Sequence, residues 1–291
     1  MARGSNREWI GLAQPARPWR LTGRQASAYA LATGDENRRY QGVAPDAPPM
    51  AIVIGTVGVA LRAIFEDEAF VGSHERFLRL VQTEEDIRWH RPLLVDEELR
   101  LVTTVVDIDD RSVGEILSCE TEVRRENGEH LATALTTALV RDPKPMGERI
   151  AGLRKHTEEP AALAASVGEP LTSDWTVAPD QAERYAEASG DRNPIHLDDA
   201  VARHAGLKGR ILHGLCTMAF AQRVIVDRVA GGVPSRLKRL RVRFSRPVYL
   251  GDTLTCALQP VSIDGHYRVT VQNQDGVSVL KDGIAEVQGD A

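Results

Sequence analysis

The chain has 291 residues, 42% hydrophobic and 26% charged, with a formal net charge of −5 and a pI near 5.9. That is the composition of a folded protein of one large or two ordinary domains, and its acidity argues against a protein that coats nucleic acid or an anionic membrane. No apolar run approaches the ~20 residues of a membrane span, and the N-terminus lacks the apolar core and cleavage site of a signal peptide. Cys119, Cys216 and Cys256 are widely spaced without a Cys-x-x-Cys pair, which excludes a disulfide scaffold or cysteine zinc site and fits a reducing, cytoplasmic setting.

In chain order, the first notable segment is Tyr29–Asn37 (YALATGDEN), which returns 156 residues later as Tyr185–Asn193 (YAEASGDRN). An apolar helix is expected over Met50–Phe65, interrupted by Gly55 and Gly58. Ile87–Leu99 (IRWHRPLLVDEEL) matches Val242–Leu254 (VRFSRPVYLGDTL) at an offset of 155, and Ile108-Asp109 matches Ile263-Asp264 at the same offset. Three matches in order at nearly constant spacing predict an internal duplication into two homologous domains. Residues 1–145 form the first, 146–171 a Pro-rich and charged linker, and 172–291 the second.

In the second repeat a short helix capped by Thr176 or Asp180 is expected to run through Ala188, broken by the Gly190-Asp-x-Asn-Pro segment. A longer, mostly apolar helix is expected over Ile211–Val229. Strands are expected over Leu237–Tyr249, Leu254–Ile263, Tyr267–Gln272 and Ile284–Val287, separated by turn signals such as Asp264-Gly265. One apolar helix followed by antiparallel strands is an α+β pattern in which the sheet wraps the helix.

Ala188–His196 (ASGDRNPIH), Ile211–Leu215 (ILHGL) and Val242–Val248 (VRFSRPV) followed by Gly251-Asp252 stand in this order. Together they resemble the MaoC-like (R)-specific enoyl-CoA hydratases and dehydratases, a family of hotdog-fold proteins. The resemblance implies two tandem hotdog domains and reversible hydration of trans-2-enoyl thioesters, carried by CoA or acyl carrier protein, to (R)-3-hydroxyacyl thioesters. It implies Asp191 and His196 as the acid–base pair, with the two roles unassigned, and the Gly214 N–H as a donor to the thioester oxygen. Asn193 is expected to fix the turn or a catalytic side chain, and His213 to be structural. Arg210 stands where the family commonly has Pro. A single carboxylate and imidazole on one tight turn suit the chemistry, since both can engage one water molecule.

The first repeat keeps Thr33, Gly34, Asp35 and Asn37, but Arg38 replaces the Pro and Tyr40 the His. Its helix begins Pro48-Pro-Met-Ala-Ile52 without His-Gly. It is therefore expected to be non-catalytic and to close the acyl pocket. Gly55 and Gly58 would then serve either close helix packing or a tunnel for a long acyl group. The basic run Arg236–Arg246 is expected to form a solvated or interface face, or to meet the carrier's phosphates. No metal, nicotinamide or phosphate-loop motif is present, so no cofactor is expected. A homodimer is the expected assembly. The competing functions are a hotdog thioesterase, which needs no Asp-x4-His pair, and a non-enzymatic acyl-CoA-binding subunit.

Overall fold

Alternation of buried and open residues along Leu99–Val106 and Thr253–Gln259 leaves one apolar face on each strand, and that face must be covered. The computed structural model describes residues 5–42, 45–65, 76, 79–142 and 159–289. In chain order the elements are β1 (Arg17–Trp19), α1 (Gly23–Ala32), α2 (Val53–Phe65), β2 (Leu80–Trp89), β3 (Leu99–Arg111), β4 (Gly114–Arg125) and β5 (His130–Arg141). Then follow α3 (Pro160–Leu163), β6 (Leu171–Thr176), α4 (Gln181–Ser189), α5 (Asp199–His204), α6 (Gly214–Arg228), β7 (Leu237–Phe244), β8 (Thr253–Pro260), β9 (His266–Asn273) and β10 (Ser278–Val287).

All ten strands join one antiparallel sheet in the order β1-β3-β4-β5-β2-β7-β10-β9-β8-β6. Read outward from its centre, the two halves are the same list: β2 answers β7, β5 answers β10, and so to the edges β1 and β6. Each half is a hotdog, five strands around one helix, and the halves meet where β2 pairs with β7, Glu85 opposite Val242 and Ile87 opposite Leu240. The duplication extends further than the motifs suggest, since Trp19 in β1 and Trp175 in β6 also stand 156 residues apart. Tyr29 and Tyr185, equivalent by the same offset, touch across the pseudo-two-fold, with hydroxyls 3.5 Å apart and rings edge to face.

The helix α6 buries eleven of its fifteen residues, so no amphipathic surface role is open to it and the sheet must enclose it. Within the first half, α2 follows a 3-10 turn over Pro49–Ile52, so the regular helix starts three residues later than Met50. The strand expected to reach Tyr249 ends at Phe244, just before Arg246-Pro247, where the missing proline N–H stops the ladder. β6 and α5 were not anticipated. The segment expected as a linker lies partly outside the described residues; of its described part, Pro160–Leu163 is helical and Leu171 opens β6.

The basic run on β7 is neither a solvated face nor free for phosphates. Arg239, Arg241 and Arg243 are 3%, 1% and 6% exposed. Arg239 forks onto Asp86 of β2 at 2.7 and 2.8 Å and also meets Glu159 and Glu286. Arg241 reaches Glu159 at 2.9 Å and lies 3.7 Å from Glu84 of β2, while Arg243 pairs with Asp282. Leu240 and Val242 face the core between them. The arginines thus join the two halves to each other and to the residue that precedes α3.

On the opposite face of β2, Glu85 is fully buried and one carboxyl oxygen lacks a hydrogen bond. Burial pushes its carboxyl up from 4.5 to about 8. A carboxyl raised by folding contributes stability that is complete below its unfolded pKa and is lost as pH rises through the folded value. Glu85→Gln should therefore flatten the fall in melting temperature between about pH 4.5 and 8. At pH 9 it should stabilise the protein by on the order of a few kcal/mol, since each unit is worth ~1.4 kcal/mol. A variant whose melting curve tracked the wild type at both ends would show that Glu85 is ionised at no cost.

Candidate active site

The helix α4 ends at Gly190, whose φ of 80° is left-handed and closes the helix as glycine does without strain. The chain then turns through Asp191–Pro194, and the turn is self-supporting. An Asp191 carboxylate oxygen accepts the Asn193 N–H at 3.1 Å. The Asn193 side-chain oxygen accepts the Ile195 N–H at 3.3 Å, capping the 3-10 turn Pro194–His196. Asn193 is exposed, and its visible work is to shape the turn.

His196 is 8% exposed, and its Nδ1 lies 2.9 Å from the Ile211 carbonyl. A carbonyl only accepts, so Nδ1 carries the proton and the neutral ring's Nε2 is a bare acceptor. Burial lowers its pKa below 6.5, against the pull of Asp191 in the other direction. The ring stacks on His213, centroids 3.8 Å apart with 27° between planes. One nitrogen or carboxylate oxygen from each of Asp191, His196 and His213 lies within 4.8 Å of the others. A common metal ion, at about 2.0–2.1 Å from two imidazole nitrogens, needs ring planes that converge on it. These two lie side by side, so the trio fits an acid–base group and not a metal centre.

Gly214 follows His213 and opens α6; it is exposed. Its N–H is one of the helix's first four and has no intrahelical acceptor, and the helix dipole adds positive potential there. A Cβ at this position would come within 2.9 Å of the Phe244 ring, so close approach demands glycine. Arg210, in place of the expected proline, donates its backbone N–H to Asp199 at 2.8 Å and pairs with Glu183. A proline has no N–H for the first of these bonds, so the helix entrance is held by a different means.

The corresponding place in the first repeat is filled from within. Asp35 is 3% exposed and Tyr40 fully buried. Gln222, reaching across from α6, donates its amide to Asp35 at 3.3 Å and accepts the Met50 N–H at 3.4 Å. Met50 lies in the opening turn of the first repeat's helical segment, as Gly214 opens α6. The Gln222 carboxamide therefore bridges the first repeat's carboxylate and its helix-start N–H. Burial raises the Asp35 carboxyl to about 6. The sequence reading missed Gln222; the signal was present as a neutral amide within the mostly apolar run Leu215–Val226. The two helix glycines differ. A Cβ on Gly55 would strike the Trp19 ring at 2.6 Å, so Gly55 serves packing, whereas Gly58 has nothing within 4 Å among the described residues.

A sheet-wrapped helix in each half, with a carboxylate and an imidazole beside the helix N-terminus in the second, defines a double-hotdog protein. Comparison with known proteins agrees. Residues 163–280 match the MaoC like domain, and residues 16–134 match the FAS1-like dehydratase domain region. The chain is 34% identical over 243 residues to the 3-hydroxyacyl-thioester dehydratase Y of Mycobacterium tuberculosis, covering 80% of this chain and 81% of that one. It is 32% identical to the peroxisomal multifunctional enzyme type 2 of Drosophila melanogaster over 63% of this chain, and spans only 30% of that relative. The crystal structure of a MaoC-like dehydratase from Phytophthora capsici superposes with a TM-score of 0.78 at 22% identity, covering 98% of this chain and all of that one. The chain belongs to the MaoC-like hydratase and dehydratase family.

Proposed function

We propose that this protein adds water reversibly across the double bond of trans-2-enoyl thioesters, CoA-linked, to give (R)-3-hydroxyacyl thioesters. The observation that carries the reading is the convergence of the Asp191 carboxylate, the bare Nε2 of neutral His196 and the N-terminus of α6. A water bonded to two acceptors at ~2.8 Å each holds them about 4.4 Å apart, which suits the spacing within 4.8 Å found here. In the hydration direction the water oxygen bonds to the β-carbon as its proton passes to His196 Nε2. Electron density moves onto the thioester oxygen, which faces the Gly214 N–H. The imidazolium then returns the proton to the α-carbon, so one water is added and the site is regenerated. Asp191 orients the water and stabilises the transient imidazolium.

Residues 172–291 are read as the catalytic domain and residues 1–145 as the domain that closes the acyl pocket. Since one chain carries both hotdogs, the site needs no second chain, and a homodimer would be an assembly of two complete sites. A reducing compartment such as the cytoplasm suits the three buried free thiols. None of the described helices is long and apolar enough to cross a membrane. The test is incubation with crotonyl-CoA, following enoyl absorbance, free CoA and product chirality together. Loss of absorbance without CoA release, with the (R) product, is expected. CoA release would make it a thioesterase, binding without turnover a carrier subunit, and an (S) product would reject the stereochemical assignment.

The filled first site leads to a further expectation. Asp35→Ala and Tyr40→Ala should change melting temperature or KM while kcat stays within about 3-fold, because neither group has a reacting partner. A loss of kcat at Asp35 as large as at Asp191 would overturn the single-site arrangement.

A further inference from the structure

His213 is 1% exposed and no part of the acid–base step uses it. Its Nε2 lies 3.0 Å from the main-chain carbonyl of Asp191, 22 residues away in sequence. Only a donor satisfies a carbonyl, so Nε2 carries the proton. Its Nδ1 is buried and has no hydrogen-bond partner. A second proton there would be an unsatisfied buried N–H on a cation, which is costly. The ring is therefore held neutral, in one tautomer. It lies between two aromatic neighbours, His196 stacked on it at 3.8 Å and Tyr185 at 4.8 Å. Tyr185 in turn is anchored on Tyr29 at the pseudo-two-fold. The charged or titratable groups that face the ring are thus Asp191, His196 and Tyr185.

His213 is also the residue immediately before Gly214. Its side chain holds the Asp191 main chain, its ring supports the His196 imidazole, and its own backbone leads into the N–H that faces the thioester oxygen. The three parts of the site come from two stretches of chain, the turn of residues 191–196 and the start of α6, and this one side chain touches the first two parts and adjoins the third. We propose that His213 is a positioning residue: its Nε2–H bond to the Asp191 carbonyl sets the span between the water-binding pair and the oxyanion donor. This rests on the hydratase reading above.

The bond and the ring are separable by substitution. His213→Phe keeps a flat ring to stack on His196 and loses the donor. His213→Gln places an amide N–H near the position of Nε2 and loses the ring. With crotonyl-CoA, Phe should lower kcat by about 10–100-fold, the scale of a misplacement of about 1 Å, with KM within about 2-fold. Gln should restore kcat to within about 5-fold of wild type. The proposal is overturned if Phe keeps kcat within about 3-fold, or if Phe and Gln lose kcat equally in step with their loss of folded protein. Should either variant not fold, 15N NMR of the histidine rings in the wild type decides. An Nε2–H tautomer for His213 that does not titrate between pH 5 and 9 is expected. An Nδ1–H tautomer, or His213 taking up a proton in that range, overturns it. Wild type inert towards every enoyl thioester would reject the hydratase reading instead, leaving the NMR result to judge His213 alone.

Discussion

Replacing Asp191 by Asn or His196 by Ala should cut the hydration rate by about 10²–10⁴-fold each, the usual worth of a positioned acid–base group. Asn keeps the size of Asp191 and its capacity to accept the Asn193 N–H, but removes the charge that would stabilise an imidazolium. Ala at 196 removes the Nε2 acceptor together with the Nδ1–H bond to Ile211. Both proteins should stay folded, because the turn is held by bonds to backbone and not by core packing. In the wild type, the acid limb of kcat/KM should lie below 6.5, since burial lowers the His196 pKa and activity needs the neutral ring. Activity should therefore rise with pH through that depressed value, and the limb should vanish in His196→Ala. Near-full turnover in either variant would mean that another pair moves the proton.

Arg241→Ala should destabilise the protein by about 3–5 kcal/mol, as removal of one partner from a buried ion-pair cluster does. Arg241 is 1% exposed, and its loss leaves Glu84, itself buried, and Glu159 short of a counter-charge. Arg243 and Arg239 remain beside them, so some compensation sets the lower end of the range. Because β2 and β7 are the strands that join the halves among the described residues, the weakening should fall on the junction between hotdogs. Urea denaturation would measure it, and a change under about 1 kcal/mol would show the cluster to be neutral in effect. Activity per folded molecule should be little changed, since the cluster lies on the sheet face away from α6 and the candidate site.

How far the residues speak for themselves varies with how local the cause is. The repeat, the hotdog order of elements and the Asp191–His196 turn were legible because each is written in contiguous residues. A Gly-Asp-x-Asn-Pro-x-His segment makes its own turn, through bonds between neighbours two residues apart. Gly214 was legible by resemblance, and the Phe244 ring shows why it must be glycine. The arginines of β7 misled, because period-2 alternation states that they share a face and says nothing of what covers it. Of their partners, Asp86, Glu84 and Glu159 lie at least 80 residues away, and even Asp282 and Glu286 lie 39 and 47 away on another strand.

The sequence by itself determined that there are two homologous halves and that, while both keep the carboxylate, only the second also has the imidazole and the helix-start glycine. These are matters of residue identity and spacing. The tertiary structure alone decided what closes the first site, which nitrogen of His196 is bare, and that His213 grips the Asp191 carbonyl. Each depends on groups far apart in the chain, the Gln222 amide lying 187 residues from Asp35. Gly55 and Gly58 make the same point within one helix. Identical residues three apart meet different surroundings, Gly55 buried against Trp19 and Gly58 exposed with no described neighbour, because 300° of helical turn leaves them about 60° apart, one inside the packed face and the other at its edge.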